Sequence, residues 1–157
     1  SGSGRVITRD VSEYKVSLTE ENIRRHQVTN MTAEQWDARV SDKGSIGKAD
    51  VVIADLPCSG LGVLRKKPDI KYRMQPEDIK SLIALQREIL STVHQYVKPG
   101  GRMIYSTCTI DAGENEENVA WFMANHKEFE VESMEQILPD ELGSDGFFIA
   151  RLRKQNV

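Results

Sequence analysis

Two rhythms alternate along the chain. Short apolar runs bounded by polar or turn residues predict strands, and apolar residues recurring at three- and four-residue steps predict helices. Arg5-Val6-Ile7-Thr8-Arg9 reads as a strand that ends at Asp10. Glu13 to His26 reads as a helix with Ser12 as its N-cap, although Val16, Leu18 and Ile23 give only partial periodicity. Val28 to Trp36 is a weaker strand ending at Asp37, and Asp42 to Lys48 is a loop on composition. Val51 to Ala54 is a short buried strand, followed by the turn Leu56-Pro57-Cys58-Ser59-Gly60. Residues 60 to 75 form a long connection broken by Pro68, a length of loop that is often functional. Glu77 to Val97 is the strongest helix, with Ile79, Leu82, Ile83, Leu85, Ile89, Leu90 and Val93 on one stripe. Pro76 suits its first position, and Lys98-Pro99-Gly100-Gly101 stops it. Arg102 to Ser106 is the next strand. The capping-box-like Asp111-Ala112-Gly113-Glu114 opens a helix to about Asn125. Phe129 to Glu132 and Gly146 to Leu152 close the chain. This order predicts an α/β domain whose sheet is mainly parallel, with an antiparallel closing strand near Gly146 to Leu152.

Composition narrows the class. The chain has 157 residues, enough for one domain with a sizeable core. Its net charge of −3 gives no global basic field, so any nucleic-acid contact must come from a local patch. Two cysteines make no secreted disulfide framework, which points to a reducing cytoplasm. No apolar run approaches a membrane span and no signal peptide is visible. Residues 1–4, Ser-Gly-Ser-Gly, read as a linker or an expression scar.

The candidate chemistry lies past the strand ends, where parallel α/β sheets place reactive loops. Cys58 and Cys108 each follow a β-like run, flanked by small polar residues, and Pro57 forces an extended kink before Cys58. A free cysteine is usually a small buried hydrophobe. Here the paired contexts point instead to covalent chemistry on an electron-poor ring. Addition of a thiolate to C6 of a pyrimidine turns C5 into a carbon able to attack a methyl donor. That step needs a proton or hydrogen bond at N3, which Asp55 could supply, and a base for the C5 proton. Asp10 and Asp37 end strands, where an acid can hold a ribose hydroxyl or merely cap a turn. Glu114, Glu116 and Glu117 read as a solvated helix N-terminus. The three histidines show no metal spacing, no metal is expected, and His26 falls at a helix end on the surface. Arg65, Lys66, Lys67, Lys71 and Arg73, with Tyr72 among them, are either a solvated loop or a phosphate-contacting patch.

Several motifs occur in order: Asp55-Leu56-Pro57-Cys58-Ser59-Gly60-Leu61-Gly62, Lys67-Pro68-Asp69-Ile70-Lys71, Lys98-Pro99-Gly100-Gly101, Tyr105-Ser106-Thr107-Cys108-Thr109, Glu114-Asn115-Glu116 and Asp145-Gly146-Phe147-Phe148. Over residues 5 to 153 the chain resembles the Sun/Fmu (RsmB-type) family of RNA cytosine C5-methyltransferases, in the branch that acts on 16S rRNA. The resemblance implies a Rossmann-like fold and S-adenosylmethionine as cofactor. It implies that Cys108 is the nucleophile, that Cys58 assists product release, and that Asp55 lies near the target base and the donor methyl. It makes Asp10 the ribose-binding acid and Asp37 the residue near the adenine amino group.

The pattern departs from the family at the front. The family's first strand and its glycine-rich Ala-Pro-Gly-Gly-Lys-type loop have no counterpart before Arg5. Residues 5–157 are therefore expected to be the C-terminal part of a catalytic domain, with exposed strand edges that favour dimerisation or strand exchange. Three alternatives stay open: an inactive fragment, a Rossmann-like RNA-binding module, and a DNA cytosine methyltransferase in which the Pro-Cys thiol is the nucleophile.

Overall fold

The computed structural model describes residues 4–139 and 143–156. Chain contacts divide the protein into two compact units, residues 1–41 and 42–157.

The first unit is a β-α-β element. Strands β1 (Val6–Asp10) and β2 (Met31–Gln35) pair in parallel, from Val6 opposite Met31 to Asp10 opposite Gln35. Parallel neighbours need a crossover, and helix α1 (Glu13–Arg25) supplies it. Ser12 caps α1 as expected, accepting from the Lys15 N–H at 3.4 Å, and His26 is exposed at its C-cap. The expected second strand was too long. Residues 28–30 instead form the turn into β2, with the Val28 N–H bonded to the Ile23 carbonyl.

The second unit carries a four-stranded sheet in the order β3-β4-β6-β5. Its strands are β3 (Ala49–Asp55), β4 (Val97–Thr107), β5 (Phe129–Ile137) and β6 (Phe147–Lys154). β3 and β4 are parallel, and β6 runs antiparallel to both β4 and β5. The closing strand is thus antiparallel, as the sequence implied, and it lies between β4 and β5.

Helices α3 (Pro76–Val93) and α4 (Glu116–Asn125) cover one face of this sheet. Met103 and Tyr105 of β4 and Phe148, Ala150 and Leu152 of β6 alternate onto that face, against Leu90, Val119 and Phe122. The opposite face carries Val51, Ile53 and Ile149, all exposed, beside Glu132, which pairs with Arg102 at 2.9 Å and Arg151 at 2.8 Å. Among the described residues, β1 and β3 each have a single strand neighbour, so each presents an open edge.

Further expectations need correction, beginning with residues 51–54, expected as a buried strand but exposing Val51 and Ile53. The strongest helix ends at Val93 rather than Val97. A 3-10 turn, His94–Tyr96, tightens its end, and Val97, fully buried, already pairs with Ala49 in the sheet. The Lys98-Pro99-Gly100-Gly101 segment is a register shift inside β4, with Gly100 at φ +74°, not a gap between helix and strand. The connection 60–75 is not structureless, because it holds a 3-10 turn (Leu61–Val63) and a short helix α2 (Ile70–Arg73) anchored by buried Ile70.

Candidate active site

Strand register brings the two cysteines together. Asp55 lies opposite Ser106 in the parallel β3–β4 pair, and the Leu56 N–H reaches the Ser106 carbonyl at 3.3 Å. Cys58 and Cys108 therefore leave the sheet side by side, with their sulfurs 3.3 Å apart, as free thiols. The Cys108 N–H also points at the Cys58 sulfur, at 3.3 Å. Asp55 is exposed at the same strand end and accepts from the Ser106 hydroxyl at 3.1 Å.

A buried polar clamp holds both loops, and sequence reading missed its centre. Glu114, expected in solvent, is 0% exposed, whereas Glu116 and Glu117 are exposed in the first turn of α4 as expected. Glu114 Oε1 accepts from the Ser59 N–H and from the Gln86 amide, each at 2.9 Å, and Oε2 accepts from the Ser59 hydroxyl. The same Gln86 amide group donates to the Pro57 carbonyl at 2.9 Å. On the Cys108 side, Asn115 donates to the Thr109 carbonyl at 3.0 Å and accepts from the Thr107 hydroxyl at 2.6 Å. Ser59 and Thr109 hydroxyls meet at 2.7 Å and join the two halves. Among the described residues no buried side-chain polar atom lacks a partner, as a low-dielectric interior requires. The signal in the sequence was a Glu-Asn pair just ahead of a helix whose first turn already had other acids to face solvent.

Backbone packing adds a second constraint. The Gly62 N–H donates to the Cys108 carbonyl at 3.0 Å, and the Gly146 N–H donates to the Gly62 carbonyl at 2.8 Å. A Cβ on Gly62 would lie 2.2 Å from the Gly146 oxygen and 2.8 Å from the Cys108 oxygen, so only glycine allows the three segments to cross here.

The thiols border a cavity of about 410 Å³, also lined by Gly60, Lys67, Asp69 and Arg73. The basic loop thus divides. Lys67 and Arg73 face the cavity, Lys66 is held by Asp145 at 2.6 Å, and Arg65 and Lys71 are exposed. Arg73 also pairs with Asp69 at 3.3 Å within α2, an exposed contact of little energetic weight.

Asp10 and Asp37 belong to the first unit, at the same ends of its parallel strands. Asp10 accepts from the Ser12 N–H at 2.8 Å through Oδ1, while Oδ2 lies 3.4 Å from exposed Lys15. Asp37 grips the Arg39 guanidinium with both oxygens, at 2.6 to 3.1 Å. Hydrogen bonds from the Arg39 side chain and N–H lower the Asp37 pKa to about 2.

The Cys58 thiol is pushed up to about 12, first by burial and then by its hydrogen bond with Cys108. At neutral pH it keeps its proton, which makes it a poor attacking thiolate. Two outcomes follow. Carboxymethylation of Cys58 at pH 8, followed by peptide mass spectrometry, runs at least about tenfold slower than that of free cysteine and accelerates only in strong alkali. A rate equal to free cysteine would contradict the burial argument. Glu114→Ala leaves the Ser59 and Gln86 donors buried without an acceptor and lowers unfolding free energy by about 3 kcal/mol in chemical denaturation. A loss below about 1 kcal/mol would show that the clamp is dispensable.

The chain as a whole has known relatives. The family described as 16S rRNA methyltransferase RsmB/F matches residues 1–153. A probable ribosomal RNA small subunit methyltransferase B from Bacillus subtilis is 38% identical over 170 residues, covering 97% of this chain and 38% of that protein. A ribosomal RNA small subunit methyltransferase F from Cronobacter sakazakii is 32% identical, over 96% of this chain and 35% of that protein. Among solved structures, NSun6 from Pyrococcus horikoshii with SFG superposes with a TM-score of 0.84 at 31% identity, over 98% of this chain and 42% of that one. A methyltransferase homologue from the same organism shares the fold, with a TM-score of 0.82 at 24% identity, over 98% of this chain and 54% of that one. The chain spans less than two fifths of the length of the curated relatives it matches. With a match that runs from its first residue through both cysteine loops and the Gly146 crossing, the chain belongs to the 16S rRNA methyltransferase RsmB/F family.

Proposed function

We propose that this chain carries the catalytic thiols of an S-adenosylmethionine-dependent RNA cytosine C5-methyltransferase acting on 16S rRNA. The observation that carries this reading is the pair of thiols, 3.3 Å apart at the ends of adjacent parallel strands beside a cavity with basic walls. The names of its relatives support the rRNA substrate, and such a substrate implies a cytoplasmic protein.

In this mechanism Cys108, as thiolate, bonds to C6 of the cytosine, and the C5–C6 electron pair moves toward C5. The Asp55 carboxyl meets N3 and stabilises the charge that develops in the ring. When bound, S-adenosylmethionine supplies an electrophilic methyl group to C5. Loss of the C5 proton to a base then returns its electron pair to the ring, and the Cys108–C6 bond breaks. Cys58, held protonated 3.3 Å from Cys108, assists that release.

The cofactor residues are a partial fit. Asp10 keeps Oδ2 for a ribose hydroxyl, contested only by a solvent-exposed lysine. Asp37 would meet the adenine amino group only by giving up part of its grip on Arg39, whose N–H and guanidinium together occupy both carboxylate oxygens. Asp55, in addition to meeting the base, would face the donor methyl when the cofactor is bound.

Two experiments test the proposal. In the first, this chain replaces the matching region of the Bacillus subtilis relative, and tritiated methyl transfer to unmodified 16S rRNA is measured. Cys108→Ala abolishes transfer, whereas Cys58→Ala accumulates a covalent protein–RNA band on a denaturing gel. Full turnover by Cys108→Ala, or trapping of 5-fluorocytosine through Cys58 or in DNA alone, overturns the assignment. In the second, the salt dependence of RNA binding is compared for the parent and for Lys67→Glu and Arg73→Glu. Each change weakens binding to all sequences alike and flattens the slope by about one unit. An unchanged slope returns the loop to an ordinary solvated surface.

A further inference from the structure

At the end of the second unit opposite the thiols, the fold assembles a cluster that sequence spacing did not reveal. His94 ends α3, His126 ends α4, and Glu128 stands just before β5. Their ligand atoms all lie within 4.8 Å of one another. One Glu128 oxygen is 3.9 Å from His94 Nε2 and 3.8 Å from His126 Nδ1. Both imidazoles are largely buried, with 12% and 15% of their side chains exposed.

The hydrogen bonding fixes which atoms are available. His94 Nδ1 sits 3.0 Å from the Leu90 carbonyl. A carbonyl only accepts, so Nδ1 carries the proton and the Nε2 lone pair is left toward His126 and Glu128. A metal-bound histidine is oriented by the same device, its other ring nitrogen donating to a carbonyl. The rings are tilted by 46° at a centroid distance of 4.0 Å, and Phe122 stacks on His126 at 4.4 Å. Ring packing accounts for the apolar contacts. It does not require both rings to turn a nitrogen toward one carboxyl.

We propose that His94 Nε2, His126 Nδ1 and the Glu128 carboxylate bind one divalent transition-metal ion, zinc first among them. Two imidazoles and a carboxylate suit zinc, and cobalt, nickel and copper less exclusively. Ligands of a tetrahedral zinc stand about 3.3 Å apart, so the two Glu128–histidine distances need to shorten by about half an ångström, and the two imidazole nitrogens, within 4.8 Å of each other, close by a side-chain rotation. Glu128 is 37% exposed, which leaves the fourth position to water. Burial lowers the pKa of both histidines, which favours the neutral rings a metal needs. The site lies beside Val97, a strand length of roughly 30 Å from Cys108, so its role is structural: it ties the C-terminal ends of α3 and α4 to the start of β5.

The test titrates zinc, against a chromophoric chelator, into the chain as it stands and into two double variants. The competing donors are the two thiols, so one variant is Cys58→Ser with Cys108→Ser and the other is His94→Gln with His126→Gln. The parent and the serine variant bind one zinc with micromolar or tighter affinity, and the glutamine variant binds at least about a hundredfold more weakly. Cobalt in the serine variant gives the visible absorption of a tetrahedral nitrogen and oxygen site. If the glutamine variant unfolds, the parent and the serine variant still decide the matter through the zinc-dependent rise in their melting temperature, which chelator reverses. Absence of saturable binding in the serine variant, or unchanged affinity in a folded glutamine variant, overturns the proposal.

Discussion

One buried acceptor, the Glu114 carboxyl, organises the reactive end of the sheet. A carboxyl removed from water is costly unless its oxygens are fully bonded. Here they are met by the Ser59 N–H, the Ser59 hydroxyl and the Gln86 amide. Those donors belong to the Cys58 loop and to α3, while Glu114 precedes α4 and follows the Cys108 loop. Satisfying one group therefore fixes four pieces of chain relative to one another. Tyr105 and Asn118, both bonded to the Glu114 carbonyl, extend the same network into the core between sheet and helices.

The two faces of the larger sheet differ in kind. The face under α3 and α4 is apolar and closed, with Met103, Tyr105, Phe148 and Leu152 almost wholly buried. The other carries Val51 and Ile53 in solvent, next to the ion pairs of Glu132. Two of the three strand pairs in this sheet are antiparallel, and antiparallel pairing tolerates a face left to solvent. The exposed valine and isoleucine sit on β3, an edge strand among the described residues.

Much of this fold was legible because it rests on local signals. Ser12, Pro76 and the leucine and isoleucine stripe place α1 and the start of α3 correctly, since caps and periodicity act within a few residues. The meeting of the cysteines was also legible, because strand ends in a parallel pair lie level and each thiol follows one. Other features depend on distant partners. The turn at His94–Tyr96 exists because buried Tyr96 and Val97 are claimed by the sheet, against a helical pattern that continues through them. Glu114 looked like a solvent-facing acid because the sequence does not show that Ser59 and Gln86 converge on it. His94, His126 and Glu128 had no spacing signal, because it is the packing of α3 against α4 that brings them together.

The crossing of Gly62, Cys108 and Gly146 makes the site depend on order of synthesis. Cys58 and Cys108 are held at the ends of strands that emerge early, but the Gly146 N–H that pins the Gly62 segment belongs to the last hairpin. A chain leaving the ribosome from its N-terminus has both thiols in solution before that strut exists. The β3–β4 register already sets the thiols side by side, and the strut across Gly62 is added only when β6 pairs between β4 and β5. In the finished chain burial holds the proton on Cys58.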